Sequence, residues 1–264
     1  LGSSAMGEAL LWGALGASSL IVAAEVAFAI RLPRMLIGLI MAFGVGALIS
    51  SVSFELVAPA LTNSETWKVG VGLAAGSVTF FAGDRAIAHL GGGNRKNPAG
   101  SAEAEPGEAA QSDGTDGEAG DSGGLGIALG TVLDGIPESA VLGMSLVGGG
   151  GVSVSLLAGI WISNLPEALG STVNMRTAGW TKTRIRLLWW IVIAVSGVAA
   201  SLGFALVDNV SGLSGAVIQA FAAGALLTMI ADEMAPEAFD RSRIFSGLAT
   251  VAGFALAVWL TSLE

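Results

Sequence analysis

Asp134-Gly135-Ile136-Pro137-Glu138-Ser139 and Ser163-Asn164-Leu165-Pro166-Glu167-Ala168 decide how this chain is read. Each places a proline and then a glutamate inside a hydrophobic run. An acid in a membrane-length apolar segment costs roughly 2.5–3.5 kcal/mol on insertion scales. A proline there also frees a backbone carbonyl that lipid cannot satisfy. A chain that carries both penalties in two neighbouring segments points to a cation site between helices.

Spacing gives that site a shape. Asp134 and Glu138 are four apart and share one helix face. Pro137 cannot donate to the carbonyl of Leu133, which frees an oxygen beside Asp134. Asn164 and Glu167, three apart, share a face in the next segment, where Pro166 frees the carbonyl of Ile162. A short glycine loop, 148–151, makes the two segments antiparallel neighbours with their motifs at comparable depth. The donor set is three carboxylates, an amide and backbone carbonyls. Oxygen-rich sites suit Mg²⁺, Mn²⁺, Fe²⁺ and, less exclusively, Zn²⁺; a monovalent ion or a proton can use the same groups. The plainer alternative is a pair of proline-kinked helices whose acids hydrogen-bond to Ser, Thr or Asn.

Further acids lie in apolar context. Asp232-Glu233 precedes a third Pro-Glu, Pro236-Glu237. Adjacent helical residues point about 100° apart, so Asp232 and Glu233 are not expected to face one ion together. Glu237 is either solvated or paired with Arg241. Glu55 lies deep enough in its segment to need a partner, either as a ligand on the site side or as a hydrogen-bonded structural acid. Asp84-Arg85 reads as a local ion pair or cap, and His89 as a surface histidine.

Composition sets the class. The chain is 53% hydrophobic and 12% charged, with a mean hydropathy of +0.73, far from a soluble domain. It has no cysteine and one histidine, which excludes disulfides, thiolate metal sites and His-rich sites. Its 39 glycines suit closely packed membrane helices; Gly72…Gly76 and Gly126…Gly130 read as ordinary helix packing. The net charge of −9 is largely local, since seven of the 21 acids lie between residues 91 and 123. No basic surface points to nucleic acid. Residues 1–5, before Met6, read as a cloning remnant and are set aside.

About 20 apolar residues cross a bilayer as a helix. That rule predicts an all-α membrane protein with eight spans, near 8–30, 33–60, 69–90, 124–147, 151–175, 185–207, 212–237 and 243–262. Residues 6–90 hold spans one to three and 124–264 hold four to eight, a 3 + 5 arrangement with both termini outside. Eleven of the twelve basic residues then fall on the cytoplasmic side, and Lys68 alone outside. The intervening 91–123, acidic and without aromatics, is predicted to be a disordered cytoplasmic loop. Trp67, Trp180 and Trp189 are expected as interfacial anchors.

Taken together, these motifs resemble the ZIP (Zrt/Irt-like) family of divalent metal transporters over essentially the whole chain. The family's fourth-span His-Asn-x-Pro-Glu-Gly is matched by Asp134 to Ser139, and its fifth-span His/Gln-Asn/Asp-x-Pro-Glu-Gly by Ser163 to Ala168. Asp232-Glu233 falls where relatives carry a His/Asp-Glu pair in span seven. The departures are specific. The usual histidine is Asp134, its asparagine is Gly135, and the span-six glutamate after Ser-Gly is missing, because Ser196-Gly197 runs into Val198-Ala199-Ala200-Ser201.

The resemblance implies one principal metal position, and carboxylate in place of imidazole shifts preference towards manganese or iron. It also implies an elevator motion, with spans one, four, five and six moving against two, three, seven and eight. The moving unit would carry Asp134, Glu138, Asn164 and Glu167. On the scaffold, Glu55 would lie near the entrance and Asp232 and Glu233 near the exit. The expected function is cytoplasm-directed movement of Zn²⁺, Mn²⁺, Fe²⁺ or Cd²⁺ as substrate across a plasma (inner) membrane. The lipid bilayer is then the surrounding partner and a homodimer is possible. Alternatives are a proton- or sodium-coupled exchanger, a metal exporter, a structural membrane protein and, remotely, an intramembrane aspartyl protease using two acids as a shared-proton dyad. No enzyme activity is expected.

Overall fold

The computed structural model describes residues 2–30, 32–89, 135–146, 152–208 and 213–263. Asp134, the 91–123 segment and Gly126…Gly130 lie outside the described residues. Helices account for nearly all the rest: α1 Gly2–Ala17, α2 Ser19–Ala29, α3 Arg34–Ser51, α4 Ala58–Asn63 and α5 Thr66–His89. After them come α6 at 135–145, then α7 Val154–Thr177, α8 Lys182–Asp208, α9 Leu213–Met229, α10 Ala235–Ser242 and α11 Ser246–Thr261. A π-helical turn, Val52–Val57, joins α3 to α4, and a second, Ile230–Met234, joins α9 to α10. Among the described residues there is no strand.

Four helical stretches among the described residues are long and apolar enough to cross a membrane: Ser4–Ala29, Arg34–Asn63, Lys182–Val207 and Gly215–Thr261. The last, at 47 residues, would be roughly 70 Å long if straight, against about 30 Å of hydrocarbon. It is not straight. Near one end of α3, Arg34 meets Asp240 of α10 at 2.8 Å, and Met41 packs on Ala238, so α3 and α10 run antiparallel. Against α11 the order is parallel, with Gly46 beside Thr250 and Glu55 beside Thr261. The chain therefore turns back between α10 and α11, at Arg243, whose φ is 48°. The 24-residue helices α5 and α7 are not among the four, because glycine, hydroxyl, amide and acidic residues dilute their apolar content.

Packing is close wherever small residues allow it. A side chain at Gly76 of α5 would run into the carbonyl of Phe221 on α9, and one at Gly72 would stand 2.9 Å from the Ala220 methyl. The packing reading of this pair holds. α3 is central, touching α7, α10 and α11. Its Val45 and Leu48, with Val52 and Leu56 of the π turn that follows, form the main core with Leu142, Leu156, Leu226 and Met229. A second core joins Leu20 and Ala24 of α2 to Met175 of α7 and Ile185 and Trp189 of α8. Large apolar side chains stay exposed on outer faces, among them Val71, Leu187, Trp190, Leu248 and Trp259, as a lipid-facing surface requires.

The first predicted span holds as one stretch, Ser4–Ala29, with a single turn residue, Ser18, between α1 and α2; its hydroxyl donates back to the carbonyl of Leu15 at 2.6 Å. Two other expectations meet differences. Trp189 is not an interfacial anchor: it is fully buried, and its indole N–H donates to Thr172 Oγ1 at 3.0 Å. Residues 2–5, set aside above, are helical, and Ala5 packs against the cluster of Ala9, Leu146 and Phe204.

Candidate cation site between two proline-glutamate helices

Glu138, on α6, is 1% exposed. Its Oε1 lies 3.3 Å from the Ser163 hydroxyl of α7, so the two Pro-Glu motifs meet at one level of the bundle. Ser163 has one proton and two acceptors in reach, because its hydroxyl also stands 2.9 Å from the carbonyl of Ile160.

Pro166 stands inside α7 without breaking it. The ring removes the N–H that would have met the Ile162 carbonyl, two residues before Asn164 and five before Glu167. Asn164 is 4% exposed and donates its amide N–H to the Gly16 carbonyl at 3.4 Å. Gly16 is the penultimate residue of α1, two before the turn at Ser18, and carbonyls in a helix's last turn can accept from other elements. Trp161 marks the same seam, donating to Ser18 Oγ at 3.2 Å. With its NH₂ group used on α1, Asn164 has Oδ1 left as its ligand atom. Glu167, three residues further along α7, is half-buried.

Of the expected ligands, the structure thus brings Glu138 into contact with Ser163, the residue before Asn164, directs the Asn164 amide N–H to α1, and places Glu167 about one turn along. Asp134 lies outside the described residues. Among the described residues, no three acidic or histidine side chains gather at metal-binding spacing.

Glu55 occupies a different place. It sits in the first π turn, half-buried, and its Oε1 accepts from Ser155 Oγ at 3.1 Å and Thr261 Oγ1 at 3.2 Å. Thr261 and Ser155 lie 2.9 Å apart, and Ser153 joins at 3.1 Å. This hydroxyl cluster ties the ends of α3, α7 and α11 together. Ser155 and Ser163 are eight residues apart on α7, roughly 12 Å along the axis, so Glu55 stands apart from the level of Glu138.

Asp232 and Glu233 lie in the second π turn. As expected from their adjacency they diverge: Asp232 is exposed, whereas Glu233 is half-buried with Oε1 enclosed. Ile230 and Met234 of the same turn pack with Val45, next to Gly44, whose missing side chain leaves room for Ser163. Glu237 pairs with Arg241. Asp84 is buried, and Arg85 lies over the Phe81 ring at 4.6 Å.

The two π turns were not anticipated, although the signal is present. Pro59 follows Glu55 by four residues, and Pro236 follows Asp232 by four. A proline ring clashes with the carbonyl four residues back, and widening that turn relieves the clash. The capping N–H groups of Ala58 and Ala235 bond five residues back, to Ser53 and Ile230. Such turns are frequent at functional sites. The hydroxyls of Ser155, Ser163 and Thr261 also went unnoticed, since serine and threonine are common in packed helices. No protein-family model matches the chain, and no curated protein matches it in sequence.

Proposed function

We propose that this chain is a membrane transporter of divalent transition-metal cations. Its substrate would bind between α6 and α7 through Asp134, Glu138, Asn164 and Glu167. The carrying observation is the 3.3 Å contact between Ser163 and the buried Glu138, which joins the two proline-glutamate motifs inside an apolar bundle. A carboxylate there is costly unless a cation shares the site. The ligands are oxygens, which suits Mn²⁺ and Fe²⁺ and also admits Zn²⁺ and Cd²⁺.

The resemblance to ZIP transporters supplies the remainder of the reading. It gives eight spans, arranged as three and five, in a plasma membrane, with a homodimer as the assembly. The packing directions are compatible: α3 runs parallel to α11 and antiparallel to α10, and α5 lies along α9. On the same reading α1, α2, α6, α7 and α8 move as a unit against α3, α5, α9, α10 and α11. The Glu55 cluster would stand near the outer mouth, and Asp232 and Glu233 near the inner one.

The test is reconstitution into liposomes loaded with a metal-sensitive dye, with Mn²⁺, Fe²⁺, Zn²⁺, Cd²⁺ and Mg²⁺ offered in turn and the gradient imposed in each direction. Saturable, gradient-driven flux of at least one transition metal, without added sodium or a proton gradient, is the expected result. Flux only against an imposed proton or sodium gradient would replace the proposal with a coupled exchanger or exporter.

A further inference from the structure

A cavity of about 670 Å³ opens where the end of α2, the start of α3 and the last two turns of α7 meet. Three guanidinium-bearing side chains line it, Arg34, Arg176 and Arg241. They come from three distant parts of the chain. Two of the three are neutralised in place, Arg34 by Asp240 and Arg241 by Glu237.

Arg176 has no carboxylate in ion-pair contact among the described residues. It faces the ring of Phe28, 5.9 Å from the centroid. The same ring has Lys182 at 5.3 Å and Arg186 at 5.3 Å. Arg186 is held by Glu25 through two hydrogen bonds of 2.5 and 2.8 Å. Lys182, like Arg176, is in ion-pair contact with no carboxylate among the described residues. Five cations therefore stand against Glu25, Glu237 and Asp240, and the two in excess, Arg176 on the cavity wall and Lys182 beside it, share the Phe28 ring at 5.9 and 5.3 Å from its centroid.

The rest of the wall is apolar. Ile30 and Val173 on the rim are 55% and 50% exposed, which leaves a surface for hydrocarbon beside the charges. At the floor is Gly170. The only atom near a side chain placed there would be the Arg241 guanidinium, at 3.4 Å, so a bulky headgroup can sit directly over α7.

We infer that this cavity binds the phosphate headgroup of an anionic phospholipid, held by Arg176 and Lys182, with its acyl carbons along Ile30 and Val173. A guanidinium matches phosphate oxygens in geometry as well as charge, and the cavity lies at the end of the bundle where the basic residues collect. A small free anion would use the charges and leave the apolar rim wet. The inference is independent of whether the chain carries metal.

The experiment is native mass spectrometry of the protein released from nanodiscs of equal parts phosphatidylglycerol and phosphatidylcholine. Wild type should retain phosphatidylglycerol in preference, less so as salt is raised. The double variant Arg176→Gln/Lys182→Gln should weaken that retention by about 25-fold, from about fivefold for each base near a membrane surface. Both side chains are exposed, so the fold should survive, as circular dichroism would check. Lys68→Gln, which removes a base elsewhere, should change nothing. Equal retention of the two lipids, retention unchanged in the double variant, or displacement of the lipid by inorganic phosphate at matched concentration would each overturn the inference.

Discussion

A single hydroxyl, that of Ser163, connects the two acidic motifs, and its neighbours allow its role to be isolated. Ser163→Ala removes the donor to Glu138 but leaves the Ile160 carbonyl, part of the same helix, with its backbone environment. We expect a folded protein whose metal affinity falls about 10–100-fold, the usual effect of losing a partner that orients a ligand. Equilibrium dialysis with Mn²⁺ or Zn²⁺ measures it, and unchanged affinity would detach Ser163 from the site. Because carboxylates bind metal only when ionised, uptake should also decline as external pH is lowered; uptake that climbs steadily with acidity would indicate proton-driven transport. A smaller electrostatic effect lies outside the spans. Hydrogen bonds from Lys68 and then Trp67, together with the Lys68 charge, hold the Glu65 carboxyl below its ordinary value. With a depressed folded pKa, the contribution of Glu65 is present above its unfolded pKa and is lost as pH falls through the folded one. Lys68→Gln should move the Glu65 carbon-13 titration to higher pH and leave metal uptake alone.

At the scale of elements, the sequence reading located most helices closely. The predicted 151–175 is α7 at Val154–Thr177, and 185–207 is α8 at Lys182–Asp208. Runs of apolar residues between breakers carry that information. Which side of an apolar helix faces inward is a different matter. Trp189 is buried and its neighbour Trp190 is 58% exposed, yet in a helix that is apolar all round both look alike. The π turns escaped notice for a related reason, since a proline in an apolar run does not say how the turn before it relieves the clash. They also offer a test. Pro236→Ala restores an N–H that can bond the Asp232 carbonyl, so the turn can close to a regular helix. Thermal unfolding should show equal or greater stability, by up to about 3 kcal/mol, while transport falls because Asp232 and Glu233 are re-aimed. A destabilised variant with normal transport would mean that the widened turn serves packing alone.

For the whole molecule, the absence of cysteine gives a clean way to ask which helices move. Ser155 and Thr261 lie 2.9 Å apart, oxygen to oxygen, across α7 and α11. Ser77 and Thr228 lie 2.8 Å apart across α5 and α9. In each pair the hydroxyls touch, so cysteines at the two positions would place their thiols face to face for oxidation. If α7 slides against the body containing α5, α9 and α11, oxidised Ser155→Cys/Thr261→Cys should stop transport and a reductant should restore it. Oxidised Ser77→Cys/Thr228→Cys, within that body, should transport as its reduced form does. Equal activity of both cross-linked proteins would rule out this division into moving and fixed parts.

The central claim, that a carboxylate site between α6 and α7 carries a metal ion, is met most directly by uptake into proteoliposomes with wild type and Glu138→Gln side by side. The replacement keeps the shape of a buried side chain and removes its charge, so the variant should fold as well as wild type. The account predicts saturable transition-metal uptake by wild type and none above background by the variant. Equal uptake by the two, or none by a folded wild type with any transition metal, would contradict it.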